Sequence, residues 1–210
     1  MPAARGTLAL LAVVIAAIGL MAARPSPVDA PGDRSSLASR RGKLLVAAPS
    51  MPANVFRESV ILMIEHDANG AMGVIVNKPI SRLAKARLFD RLGLPQEHGT
   101  GEIDIFYGGP VERRIGLVIH DGTFRGDGTQ PVADGIAVSP ERPVIEAMAV
   151  GKGPKKFLFA TGYAGWAPGQ LEAEMKRQDW LTAPADQDIV FGAAHDTKWR
   201  RASERRYRTL

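Results

Sequence analysis

The order of elements along this chain predicts an α+β fold: a single compact domain built on a mainly antiparallel, coiled or barrel-like β-sheet with three to four helices. Two observations carry that expectation. Short apolar runs of strand length recur from Lys43 to Phe191, several of them in hairpin-like pairs. Between them, only a few segments carry the start and stop signals of helices.

Lys43–Ala48 (KLLVAA) follows Gly42 as a first strand. Ser59–Glu65 and Met72–Asn77 form a hairpin around Asp67-Ala68-Asn69-Gly70, because Asn and Gly both tolerate positive φ in a short loop. Ser81 is placed to cap a helix running to about Leu92, with Gly93 as its stop. Ile103–Tyr107 and Ile115–His120 read as a strand pair around Gly108-Gly109-Pro110. The polar, Gly-rich stretch Asp121–Asp134 reads as a surface loop, and Gly135–Ser139 as a short strand. Ser139-Pro140 starts a second helix ending near Val150, with proline where no amide donor is needed. Lys156–Thr161 is a buried-looking strand, Pro168 begins a third helix through Lys176, Asp188–Phe191 reads as a last strand, and Asp196–Tyr207 as a basic terminal helix.

The 210 residues fit one domain with appended tails, and 45% hydrophobic with 23% charged residues suits a globular core. With no cysteine, disulfides, thiolate zinc sites and a cysteine nucleophile are excluded together. The net charge of +5 belongs to the ends: residues 1–41 carry +3, residues 196–210 carry +4, and the intervening core carries −2. A folded DNA-reading domain carries a basic face of its own, so this distribution argues against direct DNA binding.

Four regions follow: an apolar N-terminal segment (1–23), a Pro/Ser/Gly/Arg-rich linker (24–41), the domain (42–195) and a basic C-terminal helix or tail (196–210). Leu8–Ala23 is an uncharged run of 16 residues behind Arg5. It is long for the apolar core of a signal peptide and short for a span of ~20 residues. The expectation is an exported or membrane-anchored protein; the alternative is initiation at Met21, which leaves a cytoplasmic one. The tail Lys198-Trp199-Arg200-Arg201 interleaves aromatic and basic residues, as a membrane contact would, or forms a solvated helix face.

Familiar catalytic signatures are missing. There is no GxxxxGK[ST], GxGxxG, HExxH or GxSxG, and the four histidines stand singly. No catalytic residue, metal site or cofactor is therefore assigned. Several segments still carry candidate binding groups. Glu65-His66-Asp67 clusters three ionisable groups at the hairpin tip, either as an acid–base site or as turn caps. Asn77-Lys78, close to the helix expected at Ser81, offers a small-anion pocket, since a helix start presents free amides. Tyr107-Gly108-Gly109-Pro110 permits close backbone approach by a ligand or another strand. His120 ends a strand, either as a hydrogen-bonded core histidine or as a reactive one. Gly165, Trp166 and Gln170 form a loop suited to a pocket wall, or a staple to the sheet.

Three segments also carry a family resemblance: PSMPANVFRESVILMIEHDANGAMGVIVNKPI (Pro49–Ile80), YGGPV (Tyr107–Val111) and GYAGWAPGQLEAE (Gly162–Glu174). In order and spacing, over roughly residues 42–201, the chain resembles the AlgH/YqgE-like family of bacterial proteins. The resemblance implies a compact α+β fold with a coiled, partly barrel-like sheet. It implies the family's traditional label of transcriptional regulator, with no established biochemical activity, although no helix-turn-helix is visible here. Relatives of this type lack the N-terminal extension. The expected function is non-enzymatic, a regulatory or binding role toward a small anionic ligand or a protein partner. The alternative is an enzyme acting on a small anionic substrate in a pocket near Lys78, His120 and Trp166. Whether those segments share one hollow separates the two.

Overall fold

The computed structural model describes residues 39–205; the apolar N-terminal segment, most of the linker and residues 206–210 lie outside them. The described chain forms one curled sheet of ten strands with five α-helices.

Strands β1 (Lys43–Ala47), β2 (Val60–Asp67) and β3 (Gly70–Ile75) pair in sequence order. The expected hairpin is β2–β3: Asp67 pairs with Gly70, and the Asp67 carboxylate accepts from the Asn69 amide at 2.7 Å. Only Gly70 takes a positive φ, at 129°; Asn69 does not need one. Both faces of these strands are buried. Leu44, Val46, Val60 and Leu62 enter one core, whereas Leu45, Ala47, Ile61 and Met63 enter another on the opposite side. That period-2 division explains why the runs read as continuously apolar.

Four strand expectations need correction. Pro79–Ala84 is strand β4, not the start of a helix; Ser81 pairs with Ile105 and caps nothing. Its partner is β5 (Glu102–Tyr107), and that pairing overrides the helical signals of the segment. Helix α1 begins only at Lys85 and ends at Arg91, burying Phe89. Second, β5 does not pair with β6 (Val111–Asp121). Both flank β9 (Phe157–Trp166) instead. Third, the Asp121–Asp134 stretch contains strand β7 (Gln130–Ala133), an edge strand on β8 (Ile136–Pro140). Fourth, Asp188–Phe191 is not a strand. Asp186 accepts from the Asp188 amide at 2.8 Å and caps the short helix α4 (Gln187–Val190). The remaining edge strand is β10 (Trp180–Pro184), antiparallel to β1.

The centre of the architecture is β9. One edge pairs with β6 from Phe157 to Tyr163; the other pairs first with β5, in parallel, and then with β3. The change of partner falls at Gly162, where φ is 72°. There Tyr107-Gly108-Gly109-Pro110 carries the chain across β9 from one edge to the other. The Gly108 amide bonds Thr161 O and its carbonyl accepts from Ile75 N, both at 2.9 Å. A Cβ on Gly108 would overlap the Gly162 carbonyl, and one on Gly109 would overlap the Tyr163 backbone. The close approach these glycines permit is therefore taken up by the protein's own strand.

Three helical layers close the cores. α2 (Glu141–Ala149) and α1 cover Val118 and Phe159. α3 (Gln170–Lys176) covers the core containing Trp166 and Trp180. α4 and α5 (Lys198–Arg205) cover the core around Leu44 and Phe106, so the basic C-terminal helix belongs to the domain rather than hanging from it.

Candidate functional site

The residues expected to bind divide into two groups that lie far apart. His120 stands opposite Phe157 at one end of β9, whereas Trp166 is at the other end, opposite Ala71. Those positions are separated by roughly 30 Å of strand path at ~3.3 Å per residue. A single pocket joining Lys78, His120 and Trp166 does not form.

The first group is linked through the backbone of Tyr107 and the core covered by α3. Asn77 bridges backbone on the preceding segment: its Oδ1 accepts from Val60 N at 2.8 Å and its Nδ2 donates to Glu58 O at 2.9 Å. Lys78 Nζ donates to Val55 O at 2.6 Å, and burial, opposed only by Glu58, lowers the ammonium below its ordinary range. Lys78 lies seven residues before α1, so the helix-start half of the expected anion pocket is not beside it. The Lys78 carbonyl accepts from Tyr107 N at 2.9 Å. The half-buried Tyr107 ring packs against the core that contains Trp166, with the Arg113 guanidinium 5.8 Å from its centroid. Gly108 and Gly109 are buried in the crossing and Pro110 is exposed beyond it.

Trp166 is buried and staples its loop. Its Nε1 donates to Glu174 Oε2 at 2.8 Å, and Trp180 Nε1 donates to the same oxygen at 2.8 Å. Gln170 is exposed; its Nε2 donates to Glu174 Oε1 at 2.9 Å and its Oε1 accepts from Ala167 N at 3.0 Å. One carboxylate thus holds two indoles and an amide. Glu174 was not singled out from the sequence, although an acidic helix face between two tryptophans was a usable signal. A parallel latch joins His66 to α3. The Nδ1 accepts from Arg40 N at 2.9 Å, so Nε2 carries the proton and donates to Glu172 Oε1 at 2.6 Å. The Glu65-His66-Asp67 cluster is dispersed by this arrangement. Gly165 is exposed beside Val111.

The second group surrounds His120, which is fully buried. Its Nδ1 lies 2.8 Å from Asp121 O and its Nε2 2.9 Å from Ser139 Oγ. Burial, the largest influence, pushes the imidazole below its ordinary range and so keeps it neutral. A neutral histidine hydrogen-bonded to a serine hydroxyl has the connectivity of a nucleophile–base pair. Ser139, however, is only 1% exposed, so no substrate atom reaches it in this state.

A third cluster was not singled out from the sequence. Lys198, in the segment read as a basic tail, is fully buried. Its Nζ donates to Val190 O at 2.6 Å and Val76 O at 3.0 Å, and lies 5.6 Å from the Phe106 centroid. Burial, reinforced by Arg201, pushes its pKa down to about 7. His195 packs edge-on to Phe106 at 4.9 Å, and its Nδ1 is buried without a partner. The signal was local: Trp199 and Ala202 mark a buried helix face on which Lys198 also falls. Trp199 Nε1 donates to Ala47 O at 2.8 Å.

Among the described residues, no group of three His, Cys, Asp or Glu side chains could hold a metal, and no helix is long and apolar enough to cross a membrane.

Comparison with known proteins agrees with this architecture. The family described as AlgH-like matches residues 44–208. A UPF0301 protein of Methylococcus capsulatus is 41% identical over 165 residues, covering 79% of this chain and 90% of that protein. A UPF0301 protein of Caulobacter vibrioides is 42% identical over 163 residues, covering 77% and 84%. The solution structure of the AlgH protein from Pseudomonas aeruginosa is 36% identical with a TM-score of 0.67, covering 83% of this chain and 92% of that one. A crystal structure from Corynebacterium diphtheriae, at 24% identity and a TM-score of 0.57, shares the fold across 86% and 88%. With its curled antiparallel sheet and flanking helices, the chain belongs to the AlgH-like family.

Proposed function

We propose that this protein is a non-enzymatic binding protein, and that its recognition face is the surface around Lys78, Tyr107 and Val111. The observation that supports this reading is convergence. Four pieces of chain distant in sequence meet there: the segment before β2, Asn77-Lys78, the Tyr107–Pro110 crossing and the Gly165–Gln170 loop. Three of the exposed large apolar side chains lie on these pieces or next to them: Val55 (51% exposed), Ile80 (56%) and Val111 (36%). Lys78 ties Val55 to the Tyr107 backbone, and Val111 adjoins Gly165. Apolar side chains interspersed with Arg57, Arg113 and Gln170 suit a protein partner, because hot spots pair apolar burial with a polar rim. The sealed Ser139–His120 pair argues against turnover, and no second catalytic constellation stands on this face.

A photo-crosslinking residue at Ile80 tests the proposal in cells. The reading expects a discrete crosslinked protein from position 80 and none from position 150, where Val150 is comparably exposed but at the end of α2. Identical products from both positions, or none from either, would contradict it.

A further inference from the structure

The chain enters the domain against the tip of the β2–β3 hairpin, and the His66 ring holds it there. Register and alternation put His66 on the face of Ala71 and Trp166 and turn Glu65 and Asp67 to the other. Its side chain is only 5% exposed. Nδ1 accepts from the Arg40 amide at 2.9 Å, and Nε2 donates to Glu172 Oε1 on α3 at 2.6 Å. Ser39 Oγ donates to His66 O at 3.0 Å on the exposed side. From Arg40 O onward the chain has other ties. Arg40 O accepts from Lys43 N at 3.0 Å, the Arg41 guanidinium donates to Pro131 O, and Gly42 N donates to Met63 O at 2.9 Å. The N–H of the Ser39–Arg40 peptide therefore depends on one acceptor, the unprotonated Nδ1.

We infer that His66 is a proton-operated clasp on the incoming chain: the neutral ring holds the Ser39–Arg40 peptide, and the charged ring releases it. A doubly protonated imidazole carries a hydrogen on both nitrogens and accepts at neither. Its Nδ1–H then points at the Arg40 N–H, two donors with no acceptor between them. No reassignment of protons removes that conflict, because an amide nitrogen only donates. With the ring nearly closed off from solvent, relief comes from the peptide turning away until its N–H meets water. Arg40 O keeps its bond to Lys43 N, so the movement is confined to the chain before that turn. There, among the described residues, the exposed Ser39 hydroxyl is the remaining tie to the hairpin. On the opposite nitrogen, the bond to Glu172 becomes one between two ions and strengthens. Protonation thus exchanges the hold on the linker for a firmer hold on α3.

The charged neighbours favour this outcome. α3 contributes Glu172 and the entering chain contributes Arg40, whose charge also acts on Glu172. On β2, Glu65 and Asp67 turn to the other face, where Arg41 acts on Glu65. β3 and β9 contribute Ala71 and Trp166, both uncharged. Burial works against the charge on Glu172, but its own amide and His66 hold the carboxyl below its ordinary range, so it stays ionised while the ring charges. A cationic ring competes with Arg40 for that carboxylate, which loosens Arg40 further. The linker and the apolar segment precede Ser39 in the sequence, so the clasp sets where that length of chain leaves the domain.

Nuclear magnetic resonance of the ¹⁵N-labelled full chain, titrated from pH 8 to pH 4, tests this. The ring nitrogens of His66 report tautomer and charge, and exchange of the Arg40 amide reports the clasp. The expected result is an Nε2–H tautomer at pH 8. Protection of the Arg40 amide, corrected for intrinsic rates, should fall at least about fivefold, the weight of one ordinary hydrogen bond, with the same midpoint as the ring. Protection at Ala173, within α3, should hold through the same range. An Nδ1–H tautomer, no titration of His66 above pH 4, or unchanged Arg40 protection through that titration would each overturn the inference. Loss of protection at Arg40 and Ala173 together would also overturn it, since that is unfolding rather than release. His66→Asn keeps an acceptor near the position of Nδ1 but cannot charge. It should abolish the pH dependence at Arg40; persistence of that dependence in the folded variant would count against the clasp.

Discussion

Lys198 shows how far a residue's role can depart from its sequence context. Seen in the sequence, it begins a basic run; in the fold, its side-chain nitrogen ties the end of α4 to Val76, just past β3. Its folded pKa of about 7 lies below the ordinary lysine value of 10.5. Between those values the unfolded chain binds the proton and the native state does not, so stability rises with pH across that window and is lost as pH falls through it. Urea unfolding from pH 7 to 10 should show this slope, and Lys198→Met should remove most of it. An unchanged slope in the variant would contradict the burial argument. Glu174 makes a second residue-scale case. Glu174→Ala leaves two indole donors without their acceptor, which costs about 2–6 kcal/mol at ~1–3 per buried group. Urea unfolding with tryptophan emission measures it, and a loss under ~0.5 kcal/mol would count against the latch.

At the scale of elements, the crossing over β9 sets the architecture. Gly109→Ala places a methyl on the Tyr163 backbone, whereas at Gly169 nothing lies within 4 Å. Both have positive φ, 154° and 74°, so alanine meets backbone strain at each, about 1 kcal/mol at the left-handed Gly169. The alanine at 109 should cost at least ~3 kcal/mol or prevent folding, and that at 169 about 1 kcal/mol, by thermal unfolding. Equal losses would mean the crossing is not tight. The same crossing explains what the sequence could and could not convey. The β2–β3 hairpin was legible because Asn-Gly between two apolar runs is a local signal. The separation of β5 from β6 was not, since it depends on β9 inserting between them from 50 residues further along. Pro79–Ala84 misled because Ser81 looks like a cap, while the pairing that makes it β4 is non-local. Asp186, which caps α4, was a local signal overlooked in favour of the apolar Ile189-Val190-Phe191.

For the whole molecule, the division of the expected site residues decides the functional reading. The Lys78, Tyr107 and Trp166 segments stand out in the sequence because aromatic, glycine and amide groups mark them, and on the proposed reading they share one face. Their distance from His120 was not legible, because it depends on the length and partners of β9. The basic excess was correctly placed at the ends, yet part of it is structural: Lys198 is internal, and Arg205 pairs with Asp186 at 3.0 Å. A protein partner rather than a small anion predicts little response in a thermal-shift screen of metabolites, nucleotides and metals. A true ligand at 100-fold its dissociation constant would add about 2.7 kcal/mol, a shift of several degrees for a domain of this size. We propose, from the sequence alone, that the apolar segment Leu8–Ala23 acts as an export signal or anchor; it lies outside the described residues. Intact mass of the native protein would show cleavage or retention; a species starting at Met21 would reject that expectation.

The most direct test of the binding face is ¹⁵N chemical-shift mapping of the labelled protein in extract from its own cells. Broadening confined to residues 54–58, 78–80, 107–113 and 165–170 is the expected result. Perturbation centred on residues 120–129 and 139, or spread without focus over the surface, would contradict it.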